Sequence, residues 1–141
     1  MNRVHSAKIW EPIDFTIYFS FVKWFVIAGI VLEILFRIWT SRLSGGLFYE
    51  QLEVVTWMIR IIIFALLGWR VVLNFGHSAA VAAMSGAIAG FIFGLAISIS
   101  RFGSGIAVWK FFNIITETTI ITIVGSLIAV LMIYILSFKL E

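Results

Sequence analysis

Four apolar segments, each as long as a helix that crosses a lipid bilayer, occupy most of this 141-residue chain. They cover residues 15–36, 54–75, 79–99 and 113–136. A crossing needs about 20 apolar residues in a helix, because backbone groups find no water to bond inside lipid. The sequence therefore predicts an all-α fold. We expect a polytopic integral membrane protein whose single domain, residues 1–141, is a four-helix transmembrane bundle with short loops.

The composition supports this prediction. Hydrophobic residues make up 62% of the chain and charged residues 12%, whereas soluble domains have roughly 25% charged residues. Four crossings leave little chain for a separate soluble domain. The chain contains no cysteine, which excludes disulfides, thiol nucleophiles and thiolate metal sites.

The segments between the apolar runs indicate how the helices are joined. Asn74, Gly76 and Ser78 follow the second run; Asn or Gly can end a helix in the left-handed conformation, and Ser can cap the next one. We therefore expect helices two and three to form a tight antiparallel hairpin. Segments lying at the membrane surface are expected near residues 43–52 and 106–112.

The two ends of the chain are expected on the same side of the membrane, because the number of crossings is even. Pro12 suits a first helical turn, so helix one is predicted to begin near it. The head before this point has no small-residue cleavage site after the apolar run, and we expect it to be retained. Flanking cations are divided evenly, so neither orientation is favoured. The compact chain favours a bacterial or archaeal cytoplasmic membrane.

The third segment carries a small residue at every fourth position, so that these residues share one helix face. They are Ser78, Ala82, Gly86, Gly90, Gly94 and Ser98. A face without large side chains lets another helix backbone approach closely in lipid. We expect it to receive helix two or four of the same molecule, with self-association as the alternative.

The fourth segment has a second ridge of small, weakly polar residues at helical spacing, which makes it a candidate mate for the third. The ridge consists of Thr118, Thr122, Gly125 and Ala129. The hydroxyl groups of its threonines can bond to carbonyls of their own helix, so they do not require a ligand.

Glu33, Arg60 and Glu117 are ionisable residues inside three different apolar runs. At a rise of about 1.5 Å per residue they lie roughly 11, 7 and 11 Å from the midpoints of their runs, all toward the same side. A charge at the centre of a transmembrane helix costs roughly 2.5–3.5 kcal/mol. We therefore predict an Arg60 cation flanked by two carboxylates.

Two roles for this trio are open. A buried arginine paired with a carboxylate can fix helix register, while the remaining acid pairs with Arg37 or reaches the membrane surface. Alternatively, a carboxylate that exchanges its proton can form part of a proton or ion relay, which requires a water-accessible cavity.

Lys23 and Arg70 lie toward the opposite side of the membrane, without an evident acidic partner at their depth. Long cationic side chains can extend from a helix to the lipid headgroups. We predict headgroup contacts for both residues. A specific anionic lipid or a carboxylate of a partner subunit is the alternative.

The sequence contains no phosphate-binding glycine loop, nucleophile elbow or aspartate cluster. His5 and His77 lack the spacing of a metal site, and the net charge of +3 is not gathered into the basic patch that nucleic-acid binding needs. We expect no enzymatic activity, cofactor, metal or nucleic-acid partner.

The expected partners are the lipid bilayer and either further copies of the chain or other subunits of a larger membrane complex. Two functions follow as hypotheses. The first is a non-enzymatic subunit or scaffold that acts through close helix packing. The second is a small homo-oligomeric transporter or ion channel in which Glu33, Arg60 and Glu117 line a polar path.

Overall fold

The structure is a computed structural model that describes residues 15–42, 49–102 and 108–139. The described residues form four α-helices: α1 (Phe15–Arg42), α2 (Tyr49–Phe75), α3 (Ala79–Phe102) and α4 (Val108–Lys139). Each helix is long and apolar enough to cross a membrane. The predicted all-α fold with four helices of membrane-spanning length is therefore confirmed.

The helices are longer than the apolar runs that predict them. α1 continues to Arg42, α2 begins at Tyr49, and α4 begins at Val108 and extends over 32 residues. The flanks contain no Pro or Gly, so nothing interrupts the helical hydrogen bonding. Where the structure describes the two predicted surface segments, they are the first turns of α2 and α4. Their other residues, like the predicted helix start at Pro12, lie outside the described residues.

A three-residue turn joins α2 to α3. The backbone N–H of Gly76 donates to the Val72 carbonyl (3.0 Å), and Gly76 has a φ of 72°, the left-handed conformation in which many helices end. Ser78 caps α3: its hydroxyl accepts from the N–H of Val81 (3.4 Å), and its carbonyl accepts from the N–H of Ala82 (3.1 Å). Local sequence therefore ends one helix and starts the next.

The closest helix pair is α3 with α4 rather than α2 with α3. α2 also packs against α4, and α1 packs against α2 and α3. Within the described residues, the backbones of α1 and α4 do not approach each other. Any direct link between these two helices must therefore be made by long side chains.

The interior has three layers along the helix axes. Near the turn that joins α2 to α3 lies an apolar cluster around Val71, Ala82 and Ala129. A second apolar cluster in the middle includes Phe64 and Phe93, whose rings meet edge to face with centroids 6.2 Å apart. At the other end, where α1 and α3 finish and α2 and α4 begin, the interior is charged.

The outer surface is apolar. α1, α2 and α4 all expose large hydrophobic side chains, such as Val31 (48% exposed), Met58 (56%) and Leu127 (64%). Extended apolar surfaces of this kind are rare on soluble monomers and mark contact with lipid or with other proteins.

Candidate functional site: a buried charge network

Six charged side chains from all four helices form one connected network at the end where α2 and α4 begin. Its members are Glu33, Arg37, Glu53, Arg60, Arg101 and Glu117. Three are acidic and three are basic, so the network is electrically neutral when all six are ionised. Neutral pairing is what makes buried charges tolerable in a medium of low dielectric constant.

The centre of the network is a two-pronged pair between α1 and α2. Arg60 Nε donates to Glu33 Oε2 (3.1 Å), and Arg60 Nη2 donates to Glu33 Oε1 (2.7 Å). Both side chains are 0% exposed. Arg37, one helical turn after Glu33, also donates to Glu33 Oε1 (2.9 Å). Because a guanidinium and a carboxylate match in this geometry, the pair fixes both the distance and the register of the two helices.

A second branch joins α2, α3 and α4. Arg101 Nη1 donates to Glu117 Oε1 (2.5 Å), and Arg101 Nη2 donates to Glu53 Oε1 (2.8 Å). These three side chains are partly exposed, at 14% for Arg101 and Glu117 and 24% for Glu53. This branch therefore reaches the end of the bundle, whereas the Glu33–Arg60 pair is fully enclosed.

Arg60 connects the two branches. Its Nη2 lies 3.6 Å from Glu117 Oε1, and its guanidinium lies 4.8 Å from the centroid of the Trp57 ring and 6.0 Å from that of Phe93. The structure thus brings the predicted trio together, with Arg60 between Glu33 and Glu117. Through this one side chain α1 is linked to α4, although their backbones do not meet.

The network retains unused hydrogen-bonding capacity. Among the side chains that the structure describes, Arg60 Nη1, Glu117 Oε2 and Arg37 Nε are buried without a hydrogen-bond partner. Glu117 lines a shallow pocket of about 290 Å³ that is open to the outside, and Trp57, Arg101 and Thr116 are among its other lining residues. An unpartnered carboxylate oxygen keeps the capacity to accept a hydrogen bond.

Sequence reasoning did not include Arg101 and Glu53 in the polar cluster. Both lie at the ends of apolar runs, where a charged side chain costs little free energy, so their positions alone do not mark them as unusual. One signal was present: Glu53 precedes Arg60 by seven residues, which is two helical turns and places both on one face of α2.

The small-residue stripe of α3 faces α4. A Cβ added to Gly86 would clash with the backbone of Gly125, and a Cβ added to Gly90 would lie 2.8 Å from the carbonyl oxygen of Ile121. At Gly94 the nearest atom would be Cα of Thr118, at 3.1 Å. The two backbones are therefore too close to admit even a methyl group at Gly86 and Gly90.

The remaining predicted packing residues occupy different positions. Ala82 and Ala129 are fully buried in one apolar cluster. Thr118 donates from its hydroxyl to that of Ser98 across the α3–α4 interface (3.4 Å), whereas the Thr122 hydroxyl donates to the Thr118 carbonyl of its own helix (2.7 Å). Ser78 lies outside the interface as the cap of α3.

Lys23 and Arg70 lie near the opposite end of the bundle. Lys23 Nζ lies 5.6 Å from the ring centroid of Trp24. Arg70 is exposed and lines a groove between α1 and α2 with a volume of about 490 Å³. Over the described ranges neither cation is in an ion pair, and the structure does not bring the two into one site.

Comparison with models of known families, with curated proteins and with solved structures finds no match to this chain.

Proposed function

We propose that this protein is a non-enzymatic integral membrane protein that crosses the bilayer four times and serves as a subunit or scaffold of a membrane complex. Its two ends lie on one side of the membrane, and the cytoplasmic membrane of a bacterium or archaeon is the proposed location. One observation carries this proposal: ion pairs and close backbone contacts hold the helices together in the interior, whereas the outer surface is apolar.

Two features lock the interior. The charge network holds α1 to α2 and α4 through Arg60, and the glycine contacts hold α3 against α4 at backbone distance. Neither leaves space for a large movement, because buried ion pairs and close backbone packing have few alternative arrangements of similar energy. A rigid interior suits a structural part better than a carrier that alternates between two conformations.

The exterior leaves large apolar surfaces for lipid or for partner helices. In the most apolar stretches of α1 and α4 only 22% of residues are buried, against 50% in α3. α3 is thus the central helix, and α1 and α4 offer the widest outward faces. Helices of partner subunits can pack on such faces through van der Waals contact within the membrane.

Membrane insertion can be tested by labelling single cysteines, since the natural chain has none. In intact cells or sealed vesicles, a membrane-impermeant maleimide should reach His77→Cys, in the α2–α3 turn, from one side only. Ser104→Cys, between α3 and α4, should react from the other side. Labelling of both cysteines from the same side would contradict the four-crossing topology.

The subunit role can be tested by extracting the tagged protein from its own membrane under mild conditions and measuring the mass and composition of the particle. We expect a complex larger than a single chain that contains at least one other protein. A particle that contains only this chain, whether monomer or homo-oligomer, would contradict the subunit proposal.

A transporter or channel is the second candidate, favoured by the unpartnered Glu117 Oε2 and by the open pocket that Glu117 lines. On this hypothesis, reconstituted vesicles should conduct protons or small ions, and Glu117→Gln should abolish the flux while Glu53→Gln, at the end of the same network, largely preserves it. The absence of flux through the natural protein, in vesicles where its insertion is verified, would favour the structural role.

A further inference from the structure

We propose that the groove between α1 and α2 is a binding site for one anionic phospholipid. Arg70 would hold the phosphate, and the aromatic side chains along the groove would hold an acyl chain. The proposal rests on the membrane insertion proposed above, but it does not depend on the subunit role.

The lining of the groove divides into a polar and an aromatic part. Ser20, Arg70 and Asn74 supply the polar groups, and the aromatic lining consists of Phe21, Trp24, Phe25 and Phe75. Phe21 and Phe75 meet edge to face with centroids 5.4 Å apart, and Trp24 remains 68% exposed. A ligand that fits such a lining has one charged or polar end and one long apolar part.

The charge of the groove favours an anion. Arg70 is its one charged lining residue, and the structure, as far as it is described, gives the guanidinium no ion pair. The Asn74 amide donates to the backbone carbonyl of Arg70 (3.0 Å), which holds that amide beside the arginine without using the guanidinium. In contrast, the three arginines of the charge network are each paired with a glutamate.

An unpaired guanidinium within a membrane span is costly unless it finds an anion. The phosphate of a lipid headgroup is the anion present at highest concentration there, and it accepts two parallel hydrogen bonds from arginine. Lys23, near the same end of α1, adds positive charge without a paired acid in the described residues, so a headgroup with a net negative charge is favoured over a zwitterionic one.

The depths of the lining residues match the polarity gradient of a phospholipid. Arg70 lies seven residues from Ile63, the midpoint of the Gln51–Phe75 span, or roughly 10 Å along the helix. Its side chain can cover the remaining distance to the headgroups, because the hydrocarbon layer ends about 15 Å from the centre. Trp24 lies four residues from Ala28, the midpoint of Thr16–Thr40, or roughly 6 Å, at the level of the acyl chains.

Native mass spectrometry of the purified full-length protein can test the site. The probes are phosphatidylglycerol and phosphatidylcholine with identical acyl chains, added at equal concentrations. We expect the natural protein to retain one phosphatidylglycerol in preference to phosphatidylcholine. Arg70→Gln should weaken this retention by about tenfold or more, since it removes a charge-assisted, two-pronged contact.

Two further variants separate a specific site from general attraction. Lys139 is a cation near the same end of the bundle that does not line the groove. Lys139→Gln should therefore leave the preference for phosphatidylglycerol unchanged. Trp24→Ala should lower the retention of both lipids, because it removes part of the wall for the acyl chain. Equal retention of the two lipids by the natural protein, or equal losses in Arg70→Gln and Lys139→Gln, would overturn the proposal.

Other occupants of the groove would give different results. A dimer that forms with rising concentration and is disrupted by Arg70→Gln, without retained lipid, would assign the groove to a second copy. Lipid retention that appears only after removal of residues 1–14 would show that the N-terminal segment occupies the groove in the natural protein. Either result would overturn the lipid site. His77→Cys and Ser104→Cys could still be labelled from opposite sides of the membrane in that case, so the lipid site and the membrane topology can fail separately.

Discussion

Replacing Arg60 with methionine should destabilise the folded protein by about 3–5 kcal/mol, the usual cost of removing one partner from a buried ion pair. Arg60 donates two hydrogen bonds to Glu33, and both side chains are 0% exposed. The variant would keep the Glu33 carboxylate buried, with Arg37 as its remaining cationic partner (2.9 Å). The link from α1 to Glu117 on α4 would be lost as well.

The free-energy loss should come from the buried Glu33 carboxylate, which would keep only the partly exposed Arg37 as a partner. Lost volume should contribute little, since methionine fills most of the space of the arginine stem. Glu33→Met together with Arg60→Met should therefore recover most of the stability, because an apolar pair of similar volume is often as stable as a buried ion pair. In a double-mutant cycle, the coupling between the two substitutions should then be at least as large as the recovered part of the Arg60→Met cost, about 2–4 kcal/mol.

Unfolding by a denaturing detergent, followed by tryptophan fluorescence and circular dichroism, measures these differences. Glu53→Gln is the matched control: it also removes a carboxylate from the network, but one that is 24% exposed and bonded to Arg101, so it should cost no more than about 1 kcal/mol. If Arg60→Met costs no more than Glu53→Gln, or if the double variant is no more stable than Arg60→Met, the buried pair does not fix α1 against α2.

Two further predictions concern glycines and can be measured by the same unfolding assay. Gly86→Ala should cost about 1–3 kcal/mol, because the new methyl group meets the backbone of Gly125 and the helices must separate. Gly29→Ala, whose methyl group would meet the ring of Phe93 at 2.8 Å, should cost less since the ring can shift; equal costs would contradict the close backbone contact of α3 and α4. Gly76→Ala should cost about 1 kcal/mol through its positive φ alone, as no atom beyond its two chain neighbours lies within 4 Å of the added methyl group. Gly76→Asn should recover part of this loss, and a harmless Gly76→Ala would rule out the left-handed turn.

The depth of the charged residues within their runs indicated that Glu33, Arg60 and Glu117 belong to one level of the membrane. That level follows from counting residues along helices of fixed rise. The pairing itself does not, because rotation of each helix about its axis decides which face is turned inward. The positions of Arg101 and Glu53 at helix ends give no energetic signal, and both enter the network because α2 and α4 pack against α3.

The number and approximate positions of the helices, and the turn at Gly76 and Ser78, follow from the sequence alone. These depend on interactions within one segment: the length of an apolar run, a left-handed glycine and a capping hydroxyl. The choice of helix partners, in contrast, is visible only in the folded chain. There α3 packs most closely on α4, rather than on the α2 to which a short turn joins it, and one arginine links α1 to α4. Contacts between helices depend on the shapes and charges of two distant faces at once, which no single segment encodes.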